Sequence, residues 1–203
     1  MLSRQAFFNE AANNWDKQFY TYRLVDFLKQ IVPSFGILRG QKILDVGTGT
    51  GVLIPFLIKA VGPTGQVTAI DYAERMVEIC RAKYSQYPNV NVMVKHVENL
   101  TFPAKSFDAI TCFGLFPHLE DQAKALSEMN RILKPNGKLI IAHALSSAEI
   151  ISHHHNASPA VAHDVLPEET QMRKLLKQAG FINIQITDKP GYYTCLSNKS
   201  PFL

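Results

Sequence analysis

The stretch Ile43-Leu44-Asp45-Val46-Gly47-Thr48-Gly49-Thr50-Gly51 combines an acid with glycines at every second residue. Apolar residues lead into it, and Val52-Leu53 followed by Pro55-Phe56-Leu57-Ile58 lead out. That order predicts a buried strand, a tight turn and the opening of a helix. Glycine tolerates positive φ and lets a ligand approach the main chain closely. A helix start presents free N–H groups, so the turn is built to hold a polar group. Farther on, Gln66-Val67-Thr68-Ala69-Ile70-Asp71 reads as a second strand that also ends in an acid. A carboxylate at this place can accept hydrogen bonds from both hydroxyls of a ribose. It can equally cap the helix predicted over 73–84.

The glycine spacing discriminates between ligands. A dinucleotide fingerprint requires G-x-G-x-x-G. Here the third glycine, Gly51, comes one residue early and Val52 stands in its place. No arginine follows Asp71 directly to receive a 2′-phosphate. The form Asp-x-Gly-x-Gly-x-Gly resembles motif I of the class I S-adenosylmethionine (SAM) methyltransferases, and within them the type 11, ubiquinone-biosynthesis-like enzymes of small molecules. The resemblance implies SAM as cofactor and S-adenosylhomocysteine as product. It places the cofactor against Asp45, Gly47, Thr48, Gly49, Gly51, Asp71, Tyr72, Met76, His96, Val97, Glu98, Phe113 and Gly114. Lys95 to Pro103 is similar to the family segment in which an aspartate holds the adenine amino group and the next residue's N–H meets a ring nitrogen. His96 stands where that aspartate would be. A histidine accepts at one ring nitrogen in one tautomer only. So Val97 carries over through its backbone, while His96 either accepts from adenine or lies beside the pocket. Phe113 to Leu119 resembles the region beside the reactive methyl. It lacks the Asp/Asn-Pro-Pro-aromatic sequence of exocyclic-amine DNA methyltransferases.

Candidate bases are histidines. His118 follows the predicted fourth strand, and serves either as a base toward an acceptor or as a turn residue before the next helix. His143 ends the fifth strand. The link 144–166 holds His153-His154-His155 and His163-Asp164. It is long for an α/β connection, which usually runs about 2–6 residues, so it is expected to be a lid over the site. His118, His143 and His154 are therefore the candidate catalytic residues. Glu149 and His153 share a helical face and, with His163 and Asp164, either hold a metal or belong to a solvated or substrate-facing lid. No zinc spacing accompanies it, so no metal ligand is assigned.

The rest of the pattern positions these groups. Residues 4–32 repeat apolar positions at helical spacing, interrupted by Pro33, Gly36 and Gly40. Strands are expected at 43–46, 66–71, 90–94, 107–112, 138–143, 181–187 and 192–197. Helices are expected at 73–84, 121–133 and 167–179. Alternating strands and helices with apolar central strands make a doubly wound, mostly parallel α/β sheet. The short link 188–191 forces the last strand pair to be antiparallel. The reading is one domain, 1–203, of Rossmann-like type, with seven strands, an N-terminal helical cap over 1–36 and the lid over 144–166. The 203 residues, 46% of them hydrophobic, suffice for one full core. A net charge of +4 without a dense Lys/Arg block argues against a nucleic-acid partner. No signal peptide or membrane span is expected, and three scattered cysteines fit a reducing cytoplasm. Cys112, at a strand end near the ligand, is either more exposed to it than the others or buried, as cysteine commonly is.

These readings lead to a SAM-dependent transfer of methyl to a small-molecule acceptor. The N-terminal aromatics Phe7, Phe8, Trp15, Phe19 and Tyr20 either close over that acceptor or pack the helix on the sheet edge. A second copy of the chain is an admissible partner. The rivals are a protein that holds SAM or another adenosine ligand without transfer, and a metal-handling protein that uses the lid histidines.

Overall fold

The structure, a computed structural model, describes residues 3–202. Helix α1 (Arg4–Phe19) is capped by Ser3 and α2 (Tyr22–Ile31) by Thr21, each side chain accepting from an amide of the first turn. Thr21 thus divides the helical run 4–32 that periodicity reads as continuous. Polar residues with short side chains favour N-caps because they satisfy orphan amides there. The chain then alternates: β1 (Lys42–Val46), α3 (Ile54–Val61), β2 (Gln66–Asp71), α4 (Glu74–Tyr84), β3 (Val90–Val94), β4 (Phe107–Phe113), α5 (Gln122–Ile132), β5 (Leu133–His143), α6 (Ser147–Ala157), α7 (Glu169–Gln178), β6 (Phe181–Lys189) and β7 (Tyr192–Lys199).

The seven strands form one sheet in the order β3-β2-β1-β4-β5-β7-β6. β1 to β5 are parallel, and β7 runs antiparallel to both β5 and β6. The doubly wound, seven-stranded, mostly parallel sheet with an antiparallel last pair expected from the sequence is the one observed. Successive residues of β5 face opposite ways. Leu139 and Ile141 join the core under α5 and α7, while Ile140 and Ala142 join the core under α2 and α3. Both faces of the strand are buried, which is why it reads as a continuous apolar run. The order reverses between β1 and β4, and open α/β sheets bind ligands outside the strand ends at such a point.

Some boundaries differ from expectation. β5 begins at Leu133 rather than Lys138, directly after α5. Leu133 pairs with Phe107 and Lys138 with Ala109, so Pro135 to Gly137 bulge out between two paired segments. Local breaker residues mark the bulge but do not show that pairing resumes on both sides. The link 144–166 contains helix α6, announced by a capping box in which Ser146 and Glu149 bond reciprocally. The Ser-x-x-Glu spacing was available as a helix signal.

Candidate functional site

The end of β1 carries Asp45 and then the turn. Gly47, Gly49 and Gly51 adopt φ of 68°, 55° and 93°. The Thr48 amide donates to Ile70 O at 2.9 Å, tying the turn to β2. Asp71, at the end of β2, accepts from the Gly49 amide through Oδ2 and from the Ala73 amide through Oδ1, both at 2.9 Å. One carboxylate therefore braces the glycine turn and caps the α4 approach, the structural role weighed above. Each oxygen retains lone-pair capacity for a ligand.

The three glycines divide their work. A Cβ on Gly49 would meet nothing nearer than Trp15 Nε1 at 3.9 Å, so this backbone faces open space. A Cβ on Gly47 would strike Leu115 at 2.7 Å. A Cβ on Gly51 would strike Tyr84 Cε2 at 2.5 Å and Cys80 Sγ at 2.9 Å. Gly51, expected to touch the cofactor, does not line either cavity around the turn. It packs against α4, with the Tyr84 hydroxyl donating to its carbonyl at 2.9 Å. Cys112 is fully buried, the second of its two readings, because its side chain turns into the core under α5.

Asp45 is 2% exposed and accepts from the Thr111 hydroxyl at 2.7 Å. Burial pushes its carboxyl up to about 6, opposed by the Thr111 bond. Burial also raises Asp71. Neither is in an ion pair among the described residues. A folded-state value above the unfolded one means that the folded protein binds this proton more tightly. The Asp45 contribution is therefore most stabilising below pH 4 and is lost as pH rises through 6. Asp45→Asn should raise stability at pH 8 by about 1–3 kcal/mol, allowing for a new amide without partners. The gain should vanish near pH 4. Thermal unfolding of both proteins at the two pH values checks this, and an equal effect at both would remove the buried charge as its cause.

Two cavities flank the turn. The larger, about 580 Å³, runs from Asp45, Gly47, Thr48, Gly49 and Asp71 past Met76, Phe113 and Gly114 to His118, His143 and His154. α1 and α2 roof it with Trp15, Phe19, Tyr20, Leu24 and Phe27. The smaller, about 40 Å³, is lined by Asp71, Tyr72, His96, Val97 and Glu98 and shares Gly47 and His118 with the first. Val97 is buried and His96 exposed, its ring edge-to-face with Tyr72 at 5.5 Å.

α1 is fastened across the mouth. Asp16 pairs with Lys83 and accepts from the Thr50 hydroxyl at 2.5 Å, and Lys83 donates to the Thr50 carbonyl at 3.1 Å. Gln5 donates to Tyr72 O at 2.9 Å, and Arg75 reaches Asn13 at 2.9 Å. Trp15 and Phe19 pack together at 4.4 Å, and Phe19 meets His153 at 6.1 Å. Phe8, Trp15, Phe19 and Tyr20 thus line the cleft, while Phe7, Phe8 and Trp15 also pack in a cluster with Met76 of α4 and Val161.

The histidines separate. His118 Nδ1 lies 2.7 Å from Asp164 Oδ2, and Arg4 holds the same carboxylate. His154 Nδ1 lies 2.6 Å from the Asp164 carbonyl, and its ring is 4.6 Å from that of His118. Burial lowers His154, and it drives His143 down to about 3, assisted by His118 and His154. His143 Nε2 is buried without a partner. His153 borders the cleft, while His155 and His163 are exposed. Glu149 is spent on Ser146 and on the Gly191 amide at 2.7 Å. Among the described residues no three metal-ligating side chains converge. Arg4 and the side-chain role of Asp164 were not legible beforehand, because 160 residues separate them and neither lies in a local motif.

Known proteins resemble this chain in sequence and in fold. A family model described as a methyltransferase domain matches residues 43–137. Demethylmenaquinone methyltransferase of Staphylococcus aureus is 42% identical over 113 residues, 55% of this chain and 46% of that one. The chain thus spans about half the length of the curated relatives it matches. A SAM-dependent methyltransferase from Aquifex aeolicus superimposes with a TM-score of 0.70 at 26% identity, covering 84% of this chain and 88% of that one. A putative one from Methanococcus maripaludis gives 0.75 at 23% identity, covering 95% and 93%, and supports the fold. These likenesses support a class I SAM-dependent methyltransferase with SAM as its cofactor.

The residues present fit that cofactor. Open space over Gly49, two buried carboxylates without cationic partners and an apolar wall at Phe113 suit a cationic, nucleoside-bearing molecule.

Proposed function

We propose that this chain transfers the methyl group of SAM to a small hydroxylated aromatic acceptor bound beneath the N-terminal cap. One observation carries the reading. A single cleft joins the glycine turn and Asp71 to a pocket roofed by aromatic side chains and bordered by histidines. The larger cavity falls within the usual range of ligand sites, about 300–1,000 Å³. Its aromatic and aliphatic lining selects a flat apolar ring. The Staphylococcus aureus relative acts, by its name, on a demethylated quinone, which supports a ring of that kind.

SAM would supply an activated methyl, so no covalent enzyme intermediate is required. Asp71 would hold the ribose, Val97 and His96 would border the adenine, and Gly47 and Gly49 would let the methionine part approach the backbone. Asp45 and Asp71 would favour its positive charge. Trp15, Phe19 and Phe27 would exclude water and align the ring with the methyl, the main requirement of an in-line displacement. Among the three histidines, His118 is the one supported by a carboxylate, and we assign it the role of base. His143 and His154 are held neutral and would shape the pocket. No helix among the described residues is long and apolar enough to cross a membrane, and all three cysteines are free and buried. A cytoplasmic location fits these facts. The boundaries 1–36 for the cap and 144–166 for the lid remain part of this proposal.

Methyl-labelled SAM incubated with a panel of hydroxylated aromatics should yield labelled product and S-adenosylhomocysteine. Tight SAM binding with no transfer to any acceptor would favour a SAM-holding regulatory protein. The adenine assignment has its own check. His96→Asp should tighten SAM about tenfold, roughly 1.4 kcal/mol, because a carboxylate accepts in any orientation and is smaller. Unchanged affinity by calorimetry would move the adenine elsewhere.

A further inference from the structure

One buried carboxylate joins three elements that the sheet does not hold together. Asp164 lies in the lid after α6, and its side chain is 1% exposed. Arg4 of α1 donates to it through Nε at 3.0 Å to each oxygen and through Nη2 at 2.5 Å. His118, from the segment after β4, contacts Oδ2 at 2.7 Å. Burial acts to raise the Asp164 carboxyl, but the bonds from His118 and Arg4 outweigh it and hold it below its ordinary value. The carboxylate is therefore ionised at neutral pH and can only accept. The proton on the shared edge must then sit on His118 Nδ1. A neutral ring with its proton on Nδ1 leaves Nε2 with the lone pair. No protein group bonds to that Nε2 among the described residues, and His118 lines both cavities. Phe8 and His154 pack on the ring at 5.1 and 4.6 Å and limit its rotation.

We propose that Asp164 is a positioning residue that sets the tautomer of His118, and that Arg4 makes this arrangement depend on the N-terminal cap being closed. The inference rests on the methyl-transfer reading above. In the step it serves, His118 Nε2 takes the acceptor's hydroxyl proton. The oxygen's electron pair forms the bond to the methyl carbon, and the pair of the broken carbon–sulfur bond stays on sulfur. The products are a neutral methyl ether, neutral S-adenosylhomocysteine and a protonated imidazole, so charge and atoms balance. With the cap lifted, Arg4 leaves the carboxylate, which is then free to turn its oxygens away from His118. Proton removal is then confined to the closed, water-excluding state.

The experiment uses the full chain with ¹⁵N-labelled histidine. Without any ligand, long-range ¹⁵N–¹H spectra should show His118 protonated at Nδ1 in the wild type. In Asp164→Asn, whose amide can donate as well as accept, the population should move toward protonation at Nε2. Arg4→Gln, at a partly exposed position, is the variant to read if Asp164→Asn does not fold, and it should broaden or mix the two forms. In turnover, Asp164→Asn should lower kcat about 10- to 100-fold for weakly acidic hydroxylated rings, with SAM KM within about threefold. For a ring already ionised at the assay pH the loss should be below about threefold, since no proton remains to be taken. Wild-type His118 protonated at Nε2 would overturn the proposal, and so would equal losses for both acceptors. Transfer to no hydroxylated ring, with the Nδ1 tautomer present, would overturn the function proposed above and leave the Asp164 bond a structural tie.

Discussion

Asp71→Ala is expected to abolish useful SAM binding and to destabilise the fold at the same time. The substitution removes the acceptor of the Gly49 and Ala73 amides, both at 2.9 Å. A buried amide left without a partner costs about 1–3 kcal/mol, so a stability loss of roughly 2–4 kcal/mol follows after relief of the buried charge is allowed for. Two ribose bonds would be lost as well, at about 1–2 kcal/mol each for bonds to a charged group. The turn that receives the rest of the cofactor would also be unbraced, so the affinity loss should exceed about a hundredfold, roughly 2.7 kcal/mol. Asp71→Asn separates the two roles. Its amide oxygen can keep one backbone bond, while its NH2 faces the other N–H. Calorimetry with SAM and thermal unfolding of both variants provide the check. A folded Asp71→Ala protein with normal SAM affinity would leave Asp71 as a cap and brace only.

Gly51→Ala should be the most damaging single methyl in the chain's glycine turn, and its damage should fall on folding. The backbone sits at φ 93°, which an L side chain rarely adopts. The new carbon would also press on Tyr84 and Cys80, side chains locked in the α3–α4 core. Strain of about 1–3 kcal/mol adds to an overpacking cost of about 1–3 kcal/mol, giving a loss of roughly 3–5 kcal/mol. Gly49→Ala offers the contrast. It carries the strain at φ 55° but meets open space, so its fold should lose only about 1–2 kcal/mol while SAM affinity falls more. Chemical denaturation and SAM titration of the pair test this division. A milder effect on stability at Gly51 than at Gly49 would contradict the packing described for the turn.

The sheet, its reversed strand and the glycine turn were legible from sequence because each has a local physical cause. Alternating buried strands and amphipathic helices restrict the topology to a parallel sheet. The four-residue link 188–191 forces a reversal, and β6 and β7 are antiparallel as it requires. Asp45, Gly47, Gly49 and Asp71 were legible because the motif lies within one strand-turn-helix unit and its partner strand. The N-cap at Thr21 and the capping box at Ser146 were present as signals, but helical periodicity on both sides and the length of the lid masked them.

What only the tertiary structure decided are the relations between distant segments. Periodicity assigns Gly51 and Gly49 to the same turn, yet one faces the α4 side chains and the other open space, because the turn's two edges meet different neighbours. Composition placed four histidines in the lid, yet it is Asp164 that joins His118, a residue 46 positions away, to Arg4, 160 positions away. No spacing rule reaches so far. A carboxylate's protonation and a histidine's tautomer depend on burial and on partners supplied by folding, so the sequence could name candidate bases but not rank them.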